Sequence, residues 1–226
     1  MHKYVIVLVI FAFFLAGSAY AADPSGTITK IIGDPQIKRI AKADWSKATR
    51  GDFIYDGDQI KTGDNSRIEV VFLDGTALRL NRNSFFQAVA TKRVEKGYSN
   101  TAKIESGEMW FYRQKIPGNF IIESPISVAT IKGTEGDMQV ASNGDTTLII
   151  FDGRVEFGSD LGKIMVTDMQ KAIASRIAAP KVETIETEQL PTWQKSLEDE
   201  KISKEVIIYY READKEGQLK LTYKKQ

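Results

Sequence analysis

Ser66-Arg67-Ile68-Glu69-Val70-Val71-Phe72-Leu73-Asp74-Gly75-Thr76-Ala77-Leu78-Arg79-Leu80 carries the clearest structural instruction in this chain. Two short apolar blocks flank Asp74-Gly75, a pair that tolerates positive φ and so closes tight turns. Each block is too short for a helix, so the stretch reads as strand, turn, strand. The same grammar extends on both sides. Gly107-Glu108-Met109-Trp110-Phe111-Tyr112, Phe120-Ile121-Ile122, Ile126-Ser127-Val128-Ala129-Thr130-Ile131, Thr147-Leu148-Ile149-Ile150-Phe151 and Arg154-Val155-Glu156-Phe157 are further blocks rich in β-branched and aromatic residues. Asp56-Gly57, Gly63-Asp64-Asn65, Gly133-Thr134, Asn143-Gly144-Asp145 and Asp152-Gly153 punctuate them.

A strand, a small or acidic residue, glycine and another strand recur around Gly75, Gly107 and Gly153. These glycines lie 32 and 46 residues apart, which rejects a solenoid of fixed period. The spacing still suits similar units stacked on one another. The predicted fold is all-β, of stacked short strands, solenoid-like or a twisted β-sandwich, over residues 22–179.

The pattern changes after Ala179. Residues 180–226 read as a linker and a C-terminal α-helical extension. From Pro191 a helical pattern begins, since proline is tolerated in a first helical turn; Leu190, Trp193 and Leu197 stand at i, i+3 and i+7, continued with a drift by Ile202, Val206, Ile207 and Tyr210. That stripe packs on its own domain, docks a partner or self-associates. Leu219, Leu221 and Tyr223 alternate with polar residues, as in a last strand or a frayed end.

At the other end, Lys3 precedes an apolar run over residues 4–15, and Ala19-Tyr20-Ala21 is a small-x-small site. Residues 1–21 therefore read as a cleaved secretory signal peptide, with a retained anchor as the alternative. A span needs ~20 apolar residues, and Gly17-Ser18 interrupts this run sooner. The expected location is periplasmic or secreted.

Composition narrows the chemistry. There is no cysteine, and the single histidine, His2, would leave with the leader. A mature chain without imidazole or thiol excludes Ser-His-Asp and Cys-His catalysis, zinc sites and iron-sulfur clusters. Loss of Lys3 would leave 30 basic against 30 acidic residues. No strong field steers such a protein to nucleic acid or an anionic membrane. Asp52, Asp58, Asp74 and Asp152 are most simply turn and cap residues, and Gly63, Gly75, Gly133 and Gly153 turn glycines. A calcium site or a glycosidase carboxylate pair is a weaker reading of the same acids, since no D-x-D-x-D-G loop is present. Gly133-Thr134-Glu135-Gly136 lacks the spacing of a phosphate loop. The reading contains no catalytic, cofactor-binding or metal residues. Trp110 and Tyr112, alternate residues of one strand, share a face. They form the candidate interaction surface unless the segment from Pro191 covers them.

The β region resembles the FecR domain, a periplasmic sensor domain. Trp45, Gly51-Asp52 and Asp56-Gly57-Asp58-Gln59-Ile60-Lys61-Thr62-Gly63 match its opening, and Ser66 to Leu80 its strand, D-G-[ST], strand element. Ile104 to Phe111, Phe120 to Thr134 and Thr147 to Phe157 follow in the family's order. Val166-Thr167-Asp168-Met169-Gln170-Lys171 lacks the family's closing glycine, and Glu135-Gly136-Asp137 is more polar than usual. Family members that regulate iron uptake carry a cytoplasmic anti-sigma segment and a membrane span before this domain. Nothing precedes the leader here, so the expectation is against direct control of a sigma factor. The resemblance implies a non-enzymatic interaction or sensing module that docks a protein partner or a cell-envelope polymer. Self-associating surface assembly and, more remotely, a carbohydrate-active enzyme are the alternatives.

Overall fold

The computed structural model describes residues 23–95, 97–198, 205–212 and 215–222. The expected leader, residues 1–21, lies outside them. In chain order the strands are β1 (Gly26–Ile32), β2 (Gln36–Lys38), β3 (Ser46–Lys47), β4 (Phe53–Ile54), β5 (Gln59–Lys61), β6 (Arg67–Phe72), β7 (Ala77–Leu80), β8 (Phe85–Val94), β9 (Gly97–Arg113) and β10 (Phe120–Glu123). They continue with β11 (Val128–Ile131), β12 (Thr134–Val140), β13 (Thr146–Asp152), β14 (Arg154–Ser159), β15 (Gly162–Thr167), β16 (Gln170–Ala174), β17 (Lys181–Thr184), β18 (Glu205–Glu212) and β19 (Lys215–Thr222).

The first 17 form one continuous sheet curled into a half-barrel, the predominantly β fold expected. One wall runs β4-β1-β6-β7-β9-β12-β13-β16-β17, antiparallel throughout. The other runs β3-β2-β5-β8-β9-β10-β11-β14-β15, antiparallel except at β9–β10. Strand β9 belongs to both. Its first half pairs with β8 and β10, its second with β7 and β12. Phe72, Phe86, Phe111, Phe120 and Phe157 fill the space between the walls, all fully buried. Phe72 and Phe120 meet edge to face, centroids 5.1 Å apart. Burial of such a side chain stabilises the fold by ~1.5–3 kcal/mol.

The three recurring glycines do two different jobs. Gly75 (φ +80) closes the β6–β7 hairpin, with Gly75 N–H donating to Phe72 O at 2.9 Å. Gly107 (φ +96) lies inside β9, where the strand crosses from one wall to the other. Gly153 (φ +98) is the corner between β13 and β14, which lie in different walls. A Cβ at residue 107 would stand 2.5 Å from Ser84 Cα, so the crossing requires glycine.

The expected C-terminal α-helical extension is not found. Thr187–Gln189 and Trp193–Leu197 are short 3₁₀ turns, and β18 and β19 form a separate antiparallel hairpin. The stripe through Val206, Ile207 and Tyr210 belongs to Glu205-Val206-Ile207-Ile208-Tyr209-Tyr210, whose β-branched and aromatic residues suit a strand better than a helix. Leu219 and Leu221 stand in β19 opposite Ile208 and Val206, the last-strand reading of that tail. Among the described residues no helix is long and apolar enough to cross a membrane.

Candidate functional site

Alternation along a strand sends successive residues to opposite faces. Val70, Leu78, Phe111, Met138, Leu148 and Ala172 face the core. Their neighbours Glu69, Arg79, Trp110, Asp137, Ile149 and Lys171 therefore share the outer face. Pairing places them in one row, Glu69–Arg79–Trp110–Asp137–Ile149–Lys171, continued by Lys30 on β1 and Glu183 on β17.

The row is a chain of polar contacts. Glu69 accepts from Arg79 Nε at 2.6 Å and from Thr29 Oγ1 at 2.7 Å, with Lys30 Nζ 3.8 Å away. The Arg79 guanidinium lies 4.5 Å from the centroid of the Trp110 ring, a cation–π contact. Trp110 Nε1 donates to Glu135 Oε1 at 3.1 Å, and its ring stacks on Tyr112 at 6.3 Å.

An outer face of a sheet is ordinarily wet, yet this one is covered. After β17, Ile185 is buried and its N–H donates to Met169 O at 2.9 Å. Residues 185–198 then turn back across the wall as a strap. Trp193 Nε1 donates to Asp137 Oδ2 at 3.2 Å. Arg79 Nη1 donates to Gln194 O at 3.0 Å and lies 3.6 Å from Glu198 Oε1. Leu197 is buried where Trp193–Leu197 meets β1 and β6. Asp137 is left 2% exposed. Burial beneath the strap raises its pKa well above the ordinary carboxylate range, and the neighbouring negative charge of Glu108 adds to the effect.

Trp110 and Tyr112 share the outer face, as alternation requires. Tyr112 is half-buried, whereas Trp110 is 7% exposed under Arg79. The segment after Pro191 reaches this face as a 3₁₀ strap rather than an α-helix, with contacts to Arg79 and Asp137, the row neighbours of Trp110. The sequence reading did not single out Glu69, Arg79 or Asp137, and it placed Trp193 on the stripe of the expected helix rather than at a polar contact. A signal was present: Ile68-Glu69-Val70, Leu78-Arg79-Leu80 and Gly136-Asp137-Met138 each set one charge inside a strand.

A second polar centre explains the D-G-T element. Asp74 Oδ1 accepts from Thr76 N–H at 2.9 Å, holding the turn. Asp74 Oδ2 accepts from Asn100 Nδ2 at 2.7 Å and pairs with Arg113 Nη1, which also donates to Thr76 Oγ1 at 2.9 Å. The Arg113 side chain is fully buried. Asp58 caps another turn, accepting from Tyr55 N–H at 3.0 Å, Ile40 N–H at 3.1 Å and Arg39 Nη1 at 2.8 Å. Asp52 accepts from Thr49 N–H at 2.9 Å. At the β13–β14 corner the capping carboxylate is Asp168, 2.7 Å from Gly153 N–H, and not the expected Asp152. Gly63 contributes its carbonyl, which accepts from Ser66 N–H at 3.1 Å, and has no positive φ. Among the described residues no three or more acidic side chains gather as metal ligands.

The sequence model of the family described as FecR protein matches residues 58–156. That stretch holds the Asp58 cap, the Asp74–Arg113 centre and the row from Glu69 to Ile149. No curated protein matches the chain. Two crystal structures of a candidate anti-sigma factor from Parabacteroides distasonis ATCC 8503, at 1.65 and 2.50 Å resolution, share its fold. Each superposes with a TM-score of 0.51 at 13% identity, over 58% of this chain and 61% of the other. The match thus spans less than two thirds of that protein's length. Residues 58–156 of this chain are thus similar to the FecR protein family, and they lie on a curled antiparallel sheet.

Proposed function

We propose that the chain is a non-enzymatic sensing module of the cell envelope, exported by residues 1–21, that docks a protein partner by strand addition at the C-terminal end of its sheet. The observation that carries this reading is the inequality of the two ends. At one end the edge strands β3 and β4 are two residues each, too short to template another strand. At the other, β17 pairs only with β16 among the described residues, and all four of its residues are exposed. Apolar side chains crowd this end: Ile177 is 93% exposed, Met165 50% and Val182 43%. An open strand edge beside exposed apolar residues is the surface that β-augmentation uses, with backbone bonds for affinity and side chains for selectivity. The FecR match and the anti-sigma-type fold support a signalling role. Of the neighbouring acids Asp137 and Glu108, Asp137 is buried beneath Trp193 of the strap rather than open to a groove, which weighs against a glycosidase.

The test is recovery of partners from a periplasmic extract by the full chain and by Ile177→Asp/Val182→Lys, both surface changes. Loss of a specific partner with the variant supports the reading. Equal recovery removes this edge as the docking surface. Cell fractionation tests export, and full-length protein retained in the cytoplasm would refute it.

A further inference from the structure

We propose that the strap, residues 185–198, is a latch over the Arg79–Trp110 face of the sheet, closed by Trp193 on Asp137 and opened by ionisation of Asp137. The proposal rests on the reading of the chain as a docking module and supplies its regulation: opening uncovers a second, aromatic and cationic surface.

Three observations carry it. First, Asp137 lies on an outer face that water would reach but for the strap, and Trp193 supplies its hydrogen-bond donor. Closure of the strap is therefore what desolvates this carboxyl group. Second, the strap is separable from the sheet. Beyond Ile185 no backbone hydrogen bond joins it to a strand among the described residues; its other backbone bonds are local, such as Gln189 N–H to Glu186 O at 3.0 Å and Glu198 N–H to Lys195 O at 2.9 Å. It is anchored through Trp193, Leu197 and the two contacts of Arg79. Short 3₁₀ turns held by side chains open far below the cost of global unfolding. Third, the closed state is imperfect, since Gln194 Oε1 is buried without a partner. Such a group is regained by water on opening.

The charges around Asp137 set the direction. From β9 it faces Glu108, which shares a hydrogen bond with it and opposes a second negative charge. On its own strand Glu135 is engaged with Trp110. From β13 it faces the uncharged Ile149, and the two cations of its row, each two strands away, are committed elsewhere: Arg79 on β7 to Glu69 and the strap, Lys171 on β16 to Glu183. From the strap, Trp193 donates to it, a bond that favours the charged carboxylate but is outweighed by the burial that the same strap imposes, while Glu198 pairs with Arg79. Among the described residues no cation pairs with Asp137, so rising pH favours the open form in which water solvates the carboxylate.

The experiment is hydrogen exchange of the full chain, followed at residues 186–198 and corrected for intrinsic rates, from mildly acidic to mildly alkaline pH. One linked proton raises the opening constant by up to about tenfold per pH unit. That increase is expected in the wild type and absent in Asp137→Asn, which keeps a neutral side chain of the same shape. Glu108→Gln should weaken it, and Trp193→Phe should raise exchange already at acidic pH. An Asp137→Asn chain with the wild-type pH response would overturn the latch, as would a wild-type strap equally protected throughout. Either failure leaves partner recovery at β17 untouched, so the two proposals fall separately.

Discussion

Asp74→Asn should unfold this protein more readily than any surface change, because it strands a buried charge. The Arg113 side chain is 0% and the Asp74 side chain 2% exposed, so no water replaces the lost carboxylate. Removing one partner of a buried pair costs ~3–5 kcal/mol. The amide still offers one oxygen to Thr76 N–H, so the turn keeps its cap and the loss reports mainly the ion pair. In a chain of this size each kcal/mol lowers Tm by ~2–4 °C, giving a fall of about 6–20 °C. Urea unfolding followed by tryptophan fluorescence measures it. Arg113→Met strands the buried Asp74 carboxylate in turn and should cost a comparable amount, and the double variant should be more stable than the sum of the singles predicts. A loss below ~1 kcal/mol for Asp74→Asn, or strict additivity in the double variant, would refute the argument that the D-G-T element exists to bury this pair.

Three other outcomes are expected. Gly107→Ala forces an L side chain to φ +96 against Ser84, costing ~1–2 kcal/mol for the backbone and ~1–3 for the collision; an unchanged thermal midpoint would disprove the crossing role. Trp110→Ala removes a buried ring packed between Arg79 and Tyr112 and should cost ~3–5 kcal/mol in urea titration, with Tyr112→Ala costing clearly less. Because Asp137 has a raised pKa in the folded chain, the native state binds its proton more tightly than the unfolded state. Its contribution is therefore full below the unfolded carboxylate pKa and is lost as pH rises toward the folded one, by up to ~1.4 kcal/mol per pH unit. Urea midpoints across that window should fall with pH in the wild type and stay flat in Asp137→Asn.

Much of the β domain was legible because its instructions are local. The Asp74-Gly75 hairpin needs only a turn pair between two apolar blocks, and the structure places it there. The C-terminal stripe misled because apolar spacings of three and four residues also contain the alternation of a strand, and the β-branched residues of β18 tip that balance. Among the capping acids, Asp52, Asp58 and Asp74 act within their own turns, but Asp168 replaces Asp152 from 15 residues away. Positive φ at Gly107 and Gly153 was equally readable as turn or corner. What separates the two is which wall the next strand joins.

The sequence by itself determined the alternation that sorts every strand into a core face and an outer face, and the likeness of its central region to the FecR family, since both are written in neighbouring residues. Only the tertiary structure decided what covers the outer face. Trp193 meets Asp137 across 56 residues and Arg79 meets Gln194 across 115. No local spacing encodes such contacts; they exist because the chain, having completed the seventeenth and final strand of the large sheet, turns back and takes water away from a row of charges.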